Sequence, residues 1–198
     1  MNKNIKRNIL SICLISLFSF AIIGCSKTEE KVENSGSLEN YQLELKNGTR
    51  LFQSEVTPCS EAEKVILDTF KIEINDKYDE FNNLYVDSEG FNNYPKTYKK
   101  LFDEGEYTEN ITIHNLRKLS EDEYSNNPNT IQYYYYMDRL NKYNPQEFEI
   151  IEVKYTVKLT DKANEGAQWG NGDWTRYYVV VKQNEKSNWR IFDIYGQM

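Results

Sequence analysis

The stretch Ile151-Glu152-Val153-Lys154-Tyr155-Thr156-Val157-Lys158-Leu159 decides the fold. Apolar and polar residues alternate along it, with valines and a tyrosine on one side and lysines on the other. Because successive side chains of a strand point to opposite faces, this alternation predicts a strand with one buried and one solvated face. Strands of this kind are typical of antiparallel sheets.

Four further segments are predicted as strands from the same pattern. With the one above, the five predicted strands span residues 111–119, 131–140, 148–160, 174–183 and 189–195. The last two are joined by a short polar loop, residues 184–188, which predicts an antiparallel hairpin.

The chain before residue 111 has a helical period instead. Ser60 and Glu63 match a capping box, in which each side chain bonds a backbone N–H at a helix start. Apolar residues recur behind it at helical spacing and predict a helix over residues 61–75. Phe81 marks a second short helix, and Pro95 opens a third. Helices first and strands afterwards predict an α+β fold, with N-terminal helices packed on a curved, mostly antiparallel sheet.

Residues 41–57 contain a hairpin pattern of their own. Asn47-Gly48 stands between two short alternating segments, and a tight turn there needs positive φ at both central residues. Because two strands alone are marginal in water, we expect this hairpin to be an extension packed on the main domain, residues 58–198. The alternative is that these residues continue a flexible tether.

The first 24 residues predict a secretory signal peptide. Lys3, Lys6 and Arg7 precede an apolar run, residues 9–23, which is shorter than the roughly 20 residues that span a membrane. Gly24-Cys25 closes the run and resembles the lipobox of bacterial lipoproteins. That resemblance implies cleavage before Cys25 and a diacylglyceryl group on its sulfur. The alternative is an uncleaved membrane helix.

Residues 25–40 are polar and charged and predict a flexible tether. A lipid on Cys25 would place the domain on the extracytoplasmic face of the cell membrane, since two acyl chains anchor stably where one is marginal. Cleavage would change the net charge from −7 to −10, because the three cations of the signal are lost. An acidic surface argues against nucleic acid as a partner, so the lipid alone is expected to bind the membrane.

The closing sequence Trp189-Arg190-Ile191-Phe192-Asp193-Ile194-Tyr195-Gly196, after three helices and a meander, resembles the nuclear transport factor 2-like, or cystatin-like, superfamily. Within it, the chain resembles small lipoproteins that carry a domain of unknown function. The resemblance covers roughly residues 58–198 and implies a cone-like sheet with a pocket beneath the helices. The superfamily includes isomerases, dehydratases and cyclases as well as non-catalytic interaction modules.

A proton-transfer enzyme of this superfamily would use a carboxylate and a polar donor inside an apolar cone, where desolvation raises the carboxyl pKa. The candidate carboxylates are Asp138 and Asp193. The candidate donors are four consecutive tyrosines, of which alternation sends two inward without saying which: Tyr133, Tyr134, Tyr135 and Tyr136. Consecutive tyrosines on a strand are more often packed β-formers, and we assign no catalytic residue.

The remaining chemistry-bearing residues are expected to be structural. His114 is the single histidine, and we expect it to support the first strand. Cys59 is expected to be a buried thiol near a helix start, with a redox role or an intermolecular disulfide as the alternative. Asp87-Ser88-Glu89-Gly90 is too short for a calcium loop. No cofactor or metal motif is found, so neither group is predicted.

The loop from residue 161 to 173 carries one large aromatic, Trp169, among Gly166, Gly170 and Gly172. We expect it to fold back onto the end of the sheet; closure over a pocket or contact with a partner is the alternative. Taken together, the sequence predicts a membrane-anchored, non-enzymatic binding or interaction module. The rival hypothesis is a small-molecule isomerase or dehydratase that uses a pocket carboxylate and a tyrosine.

Overall fold

The computed structural model describes residue 38 and residues 40–125 and 131–196, with the side chains of residues 125 and 131–136 left out. The predicted signal peptide, the lipidation site Cys25 and most of the tether therefore lie outside the described residues. Within the described part of the chain, no helix has the length and apolarity that crossing a membrane requires.

Thirteen elements follow one another along the described chain, with a single 3₁₀ turn, Tyr78–Glu80, after the first helix. They are β1 (Glu44–Asn47), β2 (Arg50–Ser54), α1 (Glu61–Asn75), α2 (Phe81–Leu84), α3 (Glu89–Asn92), α4 (Tyr94–Asp103), β3 (Thr108–Lys118), α5 (Glu121–Ser125), α6 (Ile131–Tyr143), β4 (Glu147–Leu159), α7 (Asp161–Gly166), β5 (Gly172–Lys182) and β6 (Arg190–Gly196).

The strands form one six-stranded sheet in the order β1-β2-β3-β4-β5-β6. Neighbouring strands are antiparallel except β2 and β3, which run parallel with Phe52 opposite Ile111. The predicted α+β class is thus confirmed, while the sheet is mixed and does not close on itself. β1 and β6 remain its two edges.

Helix α1 begins and ends close to the predicted residues 61 and 75, and its capping box is confirmed. The Glu63 backbone N–H donates to Ser60 Oγ over 3.1 Å, and the Glu63 carboxylate accepts from the backbone N–H of Cys59. The apolar side of α1 packs on the inner face of the sheet, where Val153 and Tyr155 of β4 are buried as the alternation predicts. This layer is the main core.

The prediction of a strand over residues 131–140 is wrong, because this segment is helix α6. Leu140 is buried, and half-buried Met137 and Tyr143 pack with it against Ile150 and Phe192. Their spacing of three residues puts them on one helical face, and burial of that face outweighs the β preference of the tyrosines. The helix covers part of the second sheet face, which the sequence predicted to be solvated.

The predicted hairpin around Asn47-Gly48 is confirmed, with Gly48 at a φ of 62°. Its role differs from the prediction, because β2 continues into the main sheet through its parallel pairing with β3. Phe52 is fully buried in the main core. The hairpin is therefore one edge of the sheet and not an appendage beside it.

Candidate functional site

A group of polar side chains surrounds half-buried Glu73, which lies on α1 one turn after buried Phe70. The Tyr98 hydroxyl of α4 donates to Glu73 Oε1 over 3.3 Å, and the Thr108 hydroxyl of β3 donates to Oε2 over 3.2 Å. Each carboxylate oxygen thus has one hydroxyl donor and further accepting capacity.

Glu73 forms part of the wall of a pocket of about 350 Å³, a volume at the small end of the range for small-molecule sites. Tyr78, Tyr98 and Tyr107 supply ring surface to the same pocket. Leu159 at the end of β4 and three small residues in and just after α7 also line it: Ala163, Gly166 and Ala167. The pocket combines an apolar lining with a half-buried carboxylate.

Burial raises the pKa of Glu73 above its ordinary value. The hydroxyls of Thr108 and Tyr98 act in the opposite direction because they bond the ionised form, and the charges of Arg176 and Arg50 do so as well. A carboxyl with a raised pKa beside hydroxyl donors can hold a proton, release it, or ionise to meet a cation.

Replacing Glu73 by glutamine should change how stability depends on pH. The raised pKa means that the folded state binds the Glu73 proton more tightly than the unfolded state, where the pKa is about 4.3. The stabilising contribution of Glu73 is therefore fully present below the unfolded-state pKa, and it is lost as the pH rises through the folded-state pKa. The difference in the free energy of unfolding, E73Q minus wild type, should therefore be more positive at pH 7.5 than at pH 4. Urea unfolding of both proteins at the two pH values measures it.

Two other carboxyls with raised pKa values, Glu63 and Asp193, are common to both proteins and cancel in this comparison. A stability difference between E73Q and wild type that is constant with pH, or that changes in the opposite sense, contradicts the assignment.

Arg50 forms the floor of the site and is itself buried. Its Nε donates to the Thr108 carbonyl over 2.8 Å, and its two terminal nitrogens bond the Asp76 carboxylate and the Glu73 carbonyl. Its guanidinium carbon lies 5.0 Å from the centroid of the Tyr107 ring. Arg50 thus joins β2, the end of α1 and the start of β3, and fixes the backbone that carries Glu73 and Thr108.

An aromatic cluster positions Tyr98. It consists of Tyr78, Phe81, Tyr85, Phe91, Tyr94, Tyr98 and Phe102. Phe81 lies near its centre, with its ring centroid 5.0 Å from that of Tyr98. The negative charge of Glu73, together with burial, raises the pKa of Tyr98 well above the ordinary value, so its hydroxyl stays protonated and donates.

Neither predicted carboxylate lies in this pocket. Asp138 is exposed on α6. Asp193 forms an ion pair with Arg139 and accepts from its neighbouring backbone N–H, and burial raises its pKa. The side chains of the four candidate tyrosines lie outside the described residues, so no donor among them is placed.

His114 has the structural surroundings that the sequence predicts. Its Nδ1 lies 3.0 Å from Glu55 Oε2 and its Nε2 lies 2.7 Å from Thr156 Oγ1, and the Thr156 hydroxyl bonds Asp173. The order carboxylate–imidazole–hydroxyl resembles a hydrolytic triad. The group is exposed on the sheet surface, however, and the hydroxyl is engaged by Asp173, so we interpret it as a cross-strand link.

The Cys59 prediction is wrong. Cys59 is exposed, not buried, in the segment just before α1. Asp87 accepts from Asn92 over 2.7 Å, and Ser88 caps α3, so this loop starts a helix. In the parts of the chain that the structure describes, no three His, Cys, Asp or Glu side chains meet as a metal site would need.

The loop carrying Trp169 folds back onto the sheet end, as expected. The Trp169 ring lies 5.0 Å from the Trp174 ring between centroids, and Arg176 stacks over Trp169 at 5.1 Å. Trp174 Nε1 donates to the Gly170 carbonyl over 2.9 Å. A side chain at Gly196 would come within 3.0 Å of the Trp169 ring, so the indole is closely packed there.

The sequence analysis missed Glu73 and Arg50. Glu73 follows Ile66 by seven positions and Phe70 by three, which places a carboxylate on the apolar side of a predicted helix. A carboxylate at such a position indicates a buried or half-buried charge, and Glu73 could have been predicted from it. Arg50 follows a hairpin turn, where a surface residue is the ordinary expectation, and no local pattern distinguishes it.

The chain is similar to one protein family, for which no activity is described. No curated protein matches the chain. Residues 63–194, about two thirds of the sequence, match one protein-family model. The match runs from the first turn of α1 into β6 and includes the pocket's Glu73, Tyr98 and Thr108. The chain belongs to the family described as "Domain of unknown function (DUF4829)".

Proposed function

We propose that this protein is a lipid-anchored, extracytoplasmic binding module whose domain holds a small molecule in the pocket beside Glu73. The observation that carries the binding function is the pocket itself, in which a half-buried carboxylate and tyrosine rings face about 350 Å³ of space. Such a combination of apolar lining and few polar groups is typical of ligand sites.

The anchor rests on the sequence. A basic head, a short apolar run and Gly24-Cys25 support cleavage before Cys25 and lipidation of its sulfur. The nuclear transport factor 2-like relationship is part of the same proposal. Its support is the packing of α1 on the inner face of an open sheet, with a pocket beside it.

Replacing Cys25 by alanine should abolish acylation of the protein, because the sulfur that would carry the diacylglyceryl group is missing. Labelling with a clickable fatty acid measures the effect, and C59A serves as the matched control that keeps position 25 intact. Loss of label is expected for C25A alone. Equal labelling of both variants would overturn the anchor.

Filling the pocket should abolish ligand binding without unfolding the domain. Ala163 lines the pocket from α7, whereas Glu165, two residues on, is exposed outside it. Any compound that raises the Tm of wild type by mass action should raise that of E165W and leave A163W unchanged. A chemically diverse panel in which no compound stabilises wild type, or in which A163W responds like E165W, contradicts the binding function.

A proton-transfer enzyme is the second candidate, favoured by the 3.3 Å contact between Tyr98 and a carboxyl of raised pKa. A pocket of this kind suits proton abstraction from a small molecule. The two functions differ in the fate of the bound compound. Recovery of an unchanged ligand after long incubation supports the binding module, whereas conversion by wild type and not by E73Q supports the enzyme.

A further inference from the structure

The groups around Glu73 indicate the charge of the molecule that fits there. Of the described residues lining the pocket, Arg50 is the one cation, and its nitrogens are already bonded to Asp76 and to two carbonyls. Glu106 also lines the pocket, and its carboxylate lies 3.0 Å from Lys162 Nζ. An anionic ligand would therefore meet no lining cation that is not already engaged.

Glu73 differs from these paired groups. Its hydrogen-bond partners, Tyr98 and Thr108, are both neutral, and the charges of Arg176 and Arg50 act on its carboxylate without a direct bond to it. Among the described residues, an ionised Glu73 therefore has no cation bonded directly to its carboxylate. A cation in the pocket would supply a countercharge in a partly desolvated setting, where such pairing is stronger than in water.

Arg50 shows how the neighbouring wall already accommodates a cation. Its guanidinium lies 5.2 Å from the Phe102 ring centroid and 5.0 Å from that of Tyr107. It also forms an ion pair with the Asp76 carboxylate. The pocket repeats this chemistry with the Glu73 carboxylate and the rings of Tyr78 and Tyr98. Ring faces attract cations through their quadrupole, most effectively when water is excluded.

We infer that the pocket beside Glu73 binds a small organic cation, with the ammonium group against Glu73 and the tyrosine rings and the apolar body against α7. This inference rests on the proposed binding function and names its ligand class. The volume of about 350 Å³ limits the ligand to a compact molecule, and Leu101, Leu159 and Ala163 provide the surface for its hydrocarbon part.

Three probes of nearly equal shape test the charge requirement: choline, its neutral isostere 3,3-dimethylbutan-1-ol, and the anion 3,3-dimethylbutanoate. Binding to the full chain in a nonionic detergent at pH 8 is followed by ligand-observed NMR titration. Choline should bind at least about tenfold more tightly than the alcohol, because the opposite charge of Glu73 and the faces of the tyrosine rings both favour the cation, and the anion should bind weakest.

The variants assign the preference to one carboxylate. E73Q should remove the advantage of choline over the alcohol, and E104Q, an exposed carboxylate of the same region outside the pocket, should retain it. Equal or tighter binding of the alcohol or the anion, or an unchanged preference in E73Q, overturns the inference. If choline fails while another compound stabilises wild type and not A163W, the ligand class is wrong and the binding function stands. If nothing binds in either experiment, both are wrong.

Discussion

Replacing Arg50 by alanine is expected to lower the free energy of unfolding by about 3 kcal/mol, because the change removes a buried guanidinium that bonds a half-buried carboxylate and two backbone carbonyls. The Asp76 carboxylate would lose its arginine, and the carbonyls of Glu73 and Thr108 would lose a donor each. Unsatisfied buried carbonyls alone cost about 1–3 kcal/mol each. Urea unfolding of R50A at pH 7 measures the loss.

Arg190 is a suitable control for Arg50, since it is an exposed arginine on a strand of the same sheet. R190A should change stability by less than about 0.5–1 kcal/mol, as exposed substitutions do. A double-mutant cycle of R50A with D76N isolates the ion pair from the carbonyl bonds. A loss below about 1 kcal/mol for R50A would contradict its role as the link between β2, α1 and β3.

Truncating Phe81 to alanine is the second change with a large expected effect, about 3–5 kcal/mol. The ring is 1% exposed and contacts the rings of Tyr78, Tyr85, Tyr94 and Tyr98. The cavity left by the substitution would remove ring contacts on several sides, and the cluster could collapse into it only in part. Thermal and urea unfolding of F81A measure the loss of stability.

The leucine variant F81L separates the cavity from the aromatic contacts. It keeps most of the buried volume and should cost about 1–1.5 kcal/mol, well below the alanine variant. Because the cluster holds Tyr98 against Glu73, F81L should also weaken binding in the pocket more than a comparable change in the second core cluster, such as I150V. If F81A and F81L lower the free energy of unfolding by the same amount, the neighbouring rings must move to fill the cavity that the alanine leaves.

Local patterns predicted most of the strands and the first helix correctly. The capping box of Ser60 and Glu63 and the alternation through Val153 and Tyr155 each act over a few residues, so they can be seen in a single sequence. The tyrosine-rich segment before Met137 shows the limit of this reasoning. Its β preference is a weak bias, and burial of Met137, Leu140 and Tyr143 against the second sheet face overrides it.

The pocket was beyond local patterns for a different reason. Its parts come from α1, the 3₁₀ turn, α4, β2, β3, β4 and α7, and the parallel pairing of β2 with β3 brings distant segments together. Arg50 is buried where these segments meet. Glu73 alone left a visible sign, a carboxylate on the apolar side of an amphipathic helix.

The open sheet has a consequence for how the protein behaves next to other copies of itself. An unpaired edge strand is a template for aggregation by strand addition. β1 is only four residues long, and its exposed Glu44 and Lys46 form an ion pair 3.1 Å apart. At the opposite edge, Tyr85 forms a bridge to Ile191, and the Val86 N–H donates to the Ile191 carbonyl. One edge is thus short and charged and the other is partly covered, and both features disfavour strand addition between copies.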